Sequence, residues 1–124
     1  MTEMPTALSI LAQELKLDAD EQSFASALLR STPVALRGDE SLIPVEDLLA
    51  IIEARPKSFD TLKRLVSKLF QNRTIQTPAG GFVGFAVLTS ATWVDESKFL
   101  RYQLSPVFLR ALMEIAAARN LELA

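Results

Sequence analysis

The 124 residues include no cysteine and no histidine. Without cysteine there is no disulfide, no thiol nucleophile and no thiolate zinc site. Without histidine there is no histidine-dependent triad and no imidazole metal ligand. Carboxylate-only metal sites survive that exclusion, but no acidic cluster has the spacing of a calcium loop. No catalytic residue, cofactor or metal is therefore expected, and the chain is not expected to be an enzyme. The acidic groups that do exist are Asp18 with Asp20 and Glu21, Asp39 with Glu40, and Asp95 with Glu96. They fall at a helix start or in turns, where carboxylates are ordinary. Long apolar runs are missing too. None approaches the ~20 residues that span a bilayer, so no membrane partner is expected. The opening MTEMPTALSILAQELKLDAD is acidic and lacks the basic-then-apolar order of a signal peptide. With the lack of cysteine, this points to a cytoplasmic setting.

What is present suits one folded unit. Apolar residues make up 49% and charged residues 23%, which argues against wholesale disorder. The length fits a single domain over 1–124, with 1–19 as an N-terminal helical extension and 20–119 as its core. The net charge is −2, but it is unevenly placed. Residues 1–53 carry ten acids against three bases, a balance of −7. Residues 54–73 carry Arg55, Lys57, Lys63, Arg64, Lys68 and Arg73 against Asp60, a balance of +5. Residues 74–124 balance at zero. A partner responds to the local field rather than to the total.

Periodicity predicts a helix over 6–17 with Thr6 as N-cap and Leu8, Leu11 and Leu15 inward. A second helix, capped by Asp18 or Asp20, runs over 21–31 and buries Phe24 and Leu28; Pro33 ends it. SLIPV reads either as a short edge strand or as the entry to a third helix with Pro44 at its first position. That helix turns Val45, Leu48, Leu49 and Ile52 inward. Ser58 caps a fourth helix over 58–72. Its apolar face is Phe59, Leu62, Leu65, Val66, Leu69 and Phe70. Thr61, Lys63, Arg64, Ser67, Lys68 and Gln71 lie on the other face, and Asn72 is the expected C-cap. The period then changes to two. RTIQT reads as a strand, Pro78-Ala79-Gly80-Gly81 as a turn, and FVGFAVLTSATWV as a second strand whose bend or bulge is expected at Gly84. DESK is a turn and FLRYQL a third strand. Ser105 and Pro106 form the N-cap and first position of a last helix with Phe108, Leu109, Leu112 and Ile115 inward.

Two successive helices followed by a β-hairpin make the arrangement of a winged helix. The expected fold class is α+β, with a β-hairpin or meander wing and a C-terminal helix. The 58–72 helix then holds the recognition position. Cations held together on a rigid element suit phosphates, and Ser67 and Gln71 on the same face suit base edges. The same cations on a lone amphipathic helix would otherwise read as a solvated surface. The hairpin is more apolar than a wing requires. Helices in so small a domain cover one face of such a sheet, so Phe82, Phe85, Val87, Trp93, Phe99 and Tyr102 are the expected homodimer surface. The plainer alternative is that they fill the core.

The segment 59–115 resembles the first winged-helix domain of plasmid replication initiator proteins, with a looser likeness over 20–58. Leu65, Leu69, Thr74 and Ile75 fit the leucine-rich helix leading into a strand. Gly80, Gly81, Val83, Gly84, Phe85, Leu88 and Ser90 fit the glycine-rich turn and following strand. Tyr102, Leu104, Ser105, Pro106 and Leu112 fit the strand and serine-proline helix start that close the pattern. The resemblance implies a domain that dimerises and contacts the DNA backbone, with a second winged helix supplying most base contacts. It implies double-stranded DNA, a second copy, and a second winged-helix domain or replication protein as partners. The DNA-contact candidates are Arg55, Lys57, Lys63, Arg64, Ser67, Lys68, Gln71 and Arg73, with the turn at Ala79-Gly80-Gly81 close to the DNA. The rival reading is a protein-interaction module with no DNA binding of its own.

Overall fold

Short polar side chains start the helices. Helix α1 (Ala7–Leu15) follows Thr6, whose Oγ1 accepts the Ser9 N–H at 3.1 Å while the Ser9 Oγ accepts the Thr6 N–H at 3.0 Å. This reciprocal box satisfies two donors that a helix start leaves open. Helix α2 (Ala19–Ser31) follows Asp18, which accepts the Glu21 N–H at 2.8 Å. Ser58 accepts the Thr61 N–H at the start of α4 (Phe59–Leu69). Ser105 does the same for Phe108 at the start of α5 (Pro106–Arg119), with Pro106 in the first turn. Helix α3 (Val45–Ile51) has no side-chain cap; its Val45 N–H donates to the Lys98 carbonyl at 2.8 Å.

The structure is a computed structural model that describes residues 5–32, 39–52, 55–76 and 80–123. The expected stop at Pro33, and Pro78 and Ala79 of the expected turn, lie outside them. The strands are β1 (Ser41–Pro44), β2 (Arg73–Gln76), β3 (Phe82–Phe85), β4 (Leu88–Val94) and β5 (Phe99–Leu104). They form two antiparallel sheets, one ordered β1-β5-β4 and one of β2 and β3 alone. Among the described residues no helix is long and apolar enough to cross a membrane.

Pro44 ends β1 and is the residue before α3, so SLIP is the short edge strand and the helix starts at Val45. The 82–94 segment is two strands in two sheets. The break is not at Gly84, which pairs with Thr74 inside β3; it falls at Ala86-Val87. There the Val87 N–H donates to Leu69 at the end of α4 (3.0 Å), and the Val87 carbonyl accepts from Ser105 at the start of α5 (2.9 Å). Val87 is the corner where the chain leaves one sheet for the other. The irregular register lies beyond it, between Leu88 and Ser90. The β4–β5 turn takes Asp95, Glu96 and Ser97 through positive φ.

One core joins the elements. Leu8, Leu11 and Leu15 of α1 pack with Phe24, Leu28, Leu62, Leu65, Leu69, Leu100, Phe108 and Leu112. Helix α1 is thus part of the core, not an appendage to it. Its Ala7 and Leu8 N–H groups donate to the Glu122 and Leu123 carbonyls beyond α5. Two residues of α4 depart from the expected faces. Thr61 is buried, because its hydroxyl donates to the Pro56 carbonyl at 2.6 Å. Phe70 is exposed, because it is the C-cap, where helical spacing stops.

Tyr102 ties the sheet to α2. Its hydroxyl donates to the Leu28 carbonyl (2.9 Å) and lies 2.7 Å from the Thr32 Oγ1, which also reaches Leu28 O at 2.8 Å. Burial raises its pKa above the ordinary 10.0, against the Thr32 hydrogen bond. A folded-state pKa above the unfolded one means that the unfolded chain loses the proton first, so this contribution to stability falls as pH rises above about 10. We expect Tyr102→Phe to cost about 1 kcal/mol near neutral pH, the worth of one net hydrogen bond. The difference between the two proteins should shrink in denaturant melts above pH 10. Tyr102 is the sole tyrosine, so tyrosinate absorbance reports its titration directly; an ordinary titration in the folded protein would contradict this account.

Candidate nucleic-acid interface

The exposed side of α4 is one continuous stripe. Asp60, Lys63, Arg64 and Ser67 are exposed, and Phe70 and Gln71 extend the stripe past the helix end. The spacing puts them on one face because the opposite positions, Leu62, Leu65, Val66 and Leu69, are anchored in the core. The wing lies beside the start of this helix. Phe59 meets Trp93 of β4 edge-on, with ring centroids 4.7 Å apart and an interplanar angle of 62°. The Lys63 Nζ sits 5.3 Å from the Phe59 ring centroid. The Phe59–Trp93 contact thus packs β4 against the start of the helix, and Lys63 lies over the same Phe59 ring from within α4.

The expected DNA-contact residues divide into three kinds. Arg55 and Arg64 are exposed and pair with no acid among the described residues, and Ser67 is exposed. Lys57 is exposed and donates to the Ala50 carbonyl at 3.2 Å. Lys63 pairs with Asp60 at 3.4 Å, both well exposed, and Lys68 pairs with Asp18 at 3.2 Å. Arg73 is different. Its guanidinium pairs with Glu21 at 2.5 Å, donates to the Leu15 and Lys16 carbonyls at 3.1 and 3.2 Å, and reaches the Gln71 Oε1 at 3.4 Å. The side chains of Arg73 and Glu21 are only 16% and 6% exposed. Arg73 is turned inward and joins α1, α2 and β2; it is not on the stripe.

Charge shifts mark the same corner. The Glu21 N–H, with Lys68 alongside, holds the Asp18 carboxyl below its ordinary 3.8. Burial, with the neighbouring Asp18, pushes Glu21 up against the pull of Arg73. Among the described residues no three Asp or Glu side chains converge where a metal ion would sit.

The expected dimer residues do not share a surface. Phe85, Val87 and Tyr102 are buried within the protomer. Alternation along β5 turns Tyr102 inward with Leu100 and Leu104, and the corner at Val87 takes Phe85 and Val87 in with it. Trp93 on β4 and Phe99 on β5 are half-buried, whereas Phe82 on β3 is 73% exposed. A different apolar surface lies between the β2–β3 hairpin and α5. It is a groove of 660 Å³ floored by Ile75, Val83, Ala111 and Ile115. Glu14, Glu114, Arg110 and Arg119 also line it. Ile115, expected inward, lines this groove instead, on a second apolar side of α5 made with Val107, Ala111 and Ala118, which recur every three or four residues.

Replacing Arg73 by Met should cost about 3 kcal/mol, because it leaves the buried Glu21 carboxylate and two helix-end carbonyls without their donor. Lys68→Ala should cost under about 1 kcal/mol, because the Lys68–Asp18 pair is largely open to solvent. Urea denaturation of both variants against wild type checks the contrast; equal losses would mean that Arg73 is not the tie described.

The chain is similar to a solved structure, the WH1 domain of MSBI1.176, a replication protein isolated from a multiple sclerosis patient. The TM-score is 0.51 at 12% identity, covering 88% of this chain and 92% of that one. Neither a protein-family model nor a curated protein sequence matches. The likeness and the element order agree: the fold is that of a winged-helix domain, with helices α3 and α4 ahead of the β4–β5 wing.

Proposed function

We propose that this chain is a non-enzymatic DNA-binding and dimerisation domain that acts in plasmid or phage DNA replication or its control. The observation that carries the reading is the uncovered stripe of α4, with Lys63, Arg64, Ser67 and Gln71 in the recognition position and the wing fixed beside it. Lys63, Arg64 and Lys68 meet phosphates, with Arg55 and Lys57 flanking them. Ser67 and Gln71 face base edges. The likeness to a replication protein's domain supports the replication role. The partners are double-stranded DNA, a second copy, and a further winged-helix domain or replication protein, in a cytoplasmic setting.

The dimer reading moves to the groove between the β2–β3 hairpin and α5. Its floor is apolar, and Val83 stands exposed at its hairpin side. Its lining carries two acids and two arginines, so two copies related by a two-fold axis can set Glu14 or Glu114 against Arg110 or Arg119. A second reading, an interaction module with no DNA binding of its own, has one observation in its favour: Lys63, Lys68 and Arg73 are already paired with carboxylates.

Fluorescence anisotropy with a generic duplex, across about 50 to 200 mM salt, separates the two. The domain should bind with affinity that falls steeply as salt rises. The Lys63/Arg64/Lys68 triple alanine protein should flatten the log–log slope by up to about 2.7, at about 0.9 per phosphate. No binding by wild type at the lowest salt rejects the DNA reading and leaves the interaction module. Sedimentation equilibrium tests the groove: wild type should be dimeric and Val83→Glu monomeric with unchanged helical circular dichroism. A wild-type monomer at high micromolar concentration rejects the dimer.

A further inference from the structure

We propose that Asp18 is a built-in competitor for the nucleic acid: it occupies Lys68 in the free protein, and DNA must displace it. The inference rests on the DNA-binding reading above. It starts from how the carboxylate is held. Asp18 Oδ1 accepts the Glu21 N–H at 2.8 Å as the cap of α2, which fixes the side chain. That leaves Oδ2 aimed outward, and the Lys68 Nζ lies 3.2 Å from it. The competitor is thus a fixed anion presented on the rim of the α4 stripe. Lys68 sits on that rim, next to Ser67 and one turn before Gln71.

The pair does little for folding, because both side chains are substantially exposed, at 35% and 51%. Its larger consequence is for the surface. A phosphate approaching α4 meets a cation already neutralised and a carboxylate that repels it. Binding through Lys68 requires its ammonium to leave Asp18, and the uncovered carboxylate then remains close to the phosphate. Neighbouring cations are not held in this way. Arg64 is unpaired among the described residues, and Lys63 pairs only with Asp60, a more exposed partner on its own helix. Asp18 acts between elements: it belongs to the acidic first half of the chain and reaches across to the basic window. The arrangement limits the affinity of the domain and makes the N-terminal helices its regulator. Anything that withdraws or neutralises Asp18 strengthens DNA binding.

The test uses Asp18→Asn, which removes the charge while keeping a good helix cap. Asp18→Ser is the second capping variant if the first melts early. Anisotropy with the same duplex should show roughly two- to fivefold tighter binding for Asp18→Asn at low salt, the range an exposed ion pair is worth. Its log–log salt slope should steepen by no more than about 0.9, the value of one phosphate contact. Asp20→Asn makes the same charge change on the same helix turn without a bond to Lys68, and should gain less than half as much. In the Asp18→Asn/Lys68→Ala protein the gain should vanish. An unchanged affinity in Asp18→Asn while wild type binds overturns the proposal. So does an equal gain from Asp20→Asn, or a gain that persists without Lys68. If wild type and every variant fail to bind at low salt, the DNA-binding reading has failed and the proposal falls with it.

Discussion

The guanidinium of Arg73 ties together the end of α1, the start of α2 and the start of β2. Helix α1 ends in a left-handed residue, Lys16, and its last carbonyls point toward the start of β2. Helix α2 begins by burying a carboxylate, Glu21. Arg73, the first residue of β2, satisfies both at once, which its planar fork of donors allows and a lysine ammonium does not. The other end of α1 is secured by backbone bonds to Glu122 and Leu123 beyond α5. With both ends fixed, α1 bridges α5 and β2, and so brings the β2–β3 hairpin against α5. The groove between them and the acidic edge that reaches Lys68 both follow from where α1 and α2 are held.

The split of the strands into two sheets separates two surfaces. The β1-β5-β4 sheet covers the core and carries the wing to the start of α4. Among the described residues the β2–β3 pair has no third strand, and it turns Ile75 and Val83 toward α5. Val87 makes this possible, because its backbone bonds run to the end of α4 and the start of α5 instead of to a neighbouring strand. The wing beside the proposed DNA face and the hairpin of the proposed self-association face therefore belong to different sheets.

Much of this was legible in one dimension. The caps at Thr6, Asp18, Ser58 and Ser105 were readable because capping is a contact between residues three apart. The core stripes of α4 and α5 were readable because burial repeats with the helix. The division of 82–94 was harder, although Val87 and Leu88 are both buried in succession, which no single two-faced strand allows. Tyr102 was misplaced because an aromatic facing a partner and one facing α2 look alike until the Leu28 carbonyl and Thr32 are known to lie opposite it. Arg73 was the least legible. It closes a run of basic residues, and its partner Glu21 is 52 positions away. Nothing local distinguishes a cation that holds the fold together from one that faces DNA.

That distinction changes the meaning of the charge count. Six cations lie in residues 54–73, but Arg73 is internal, and Lys68 and Lys63 are paired with carboxylates. Arg55, Lys57 and Arg64 remain unpaired with acids among the described residues. On the proposed reading, a surface of that kind neutralises few phosphates per protomer, so one copy on its own is a weak DNA binder. Two copies joined through the groove double the contacts without any change in the surface itself, because the second protomer binds at the effective concentration set by the first. On the proposed reading, self-association is therefore what turns a weakly basic helix into a useful DNA contact, and an acidic first half is compatible with that role. The same carboxylates that lower the affinity of one protomer make occupancy depend on how many protomers are present.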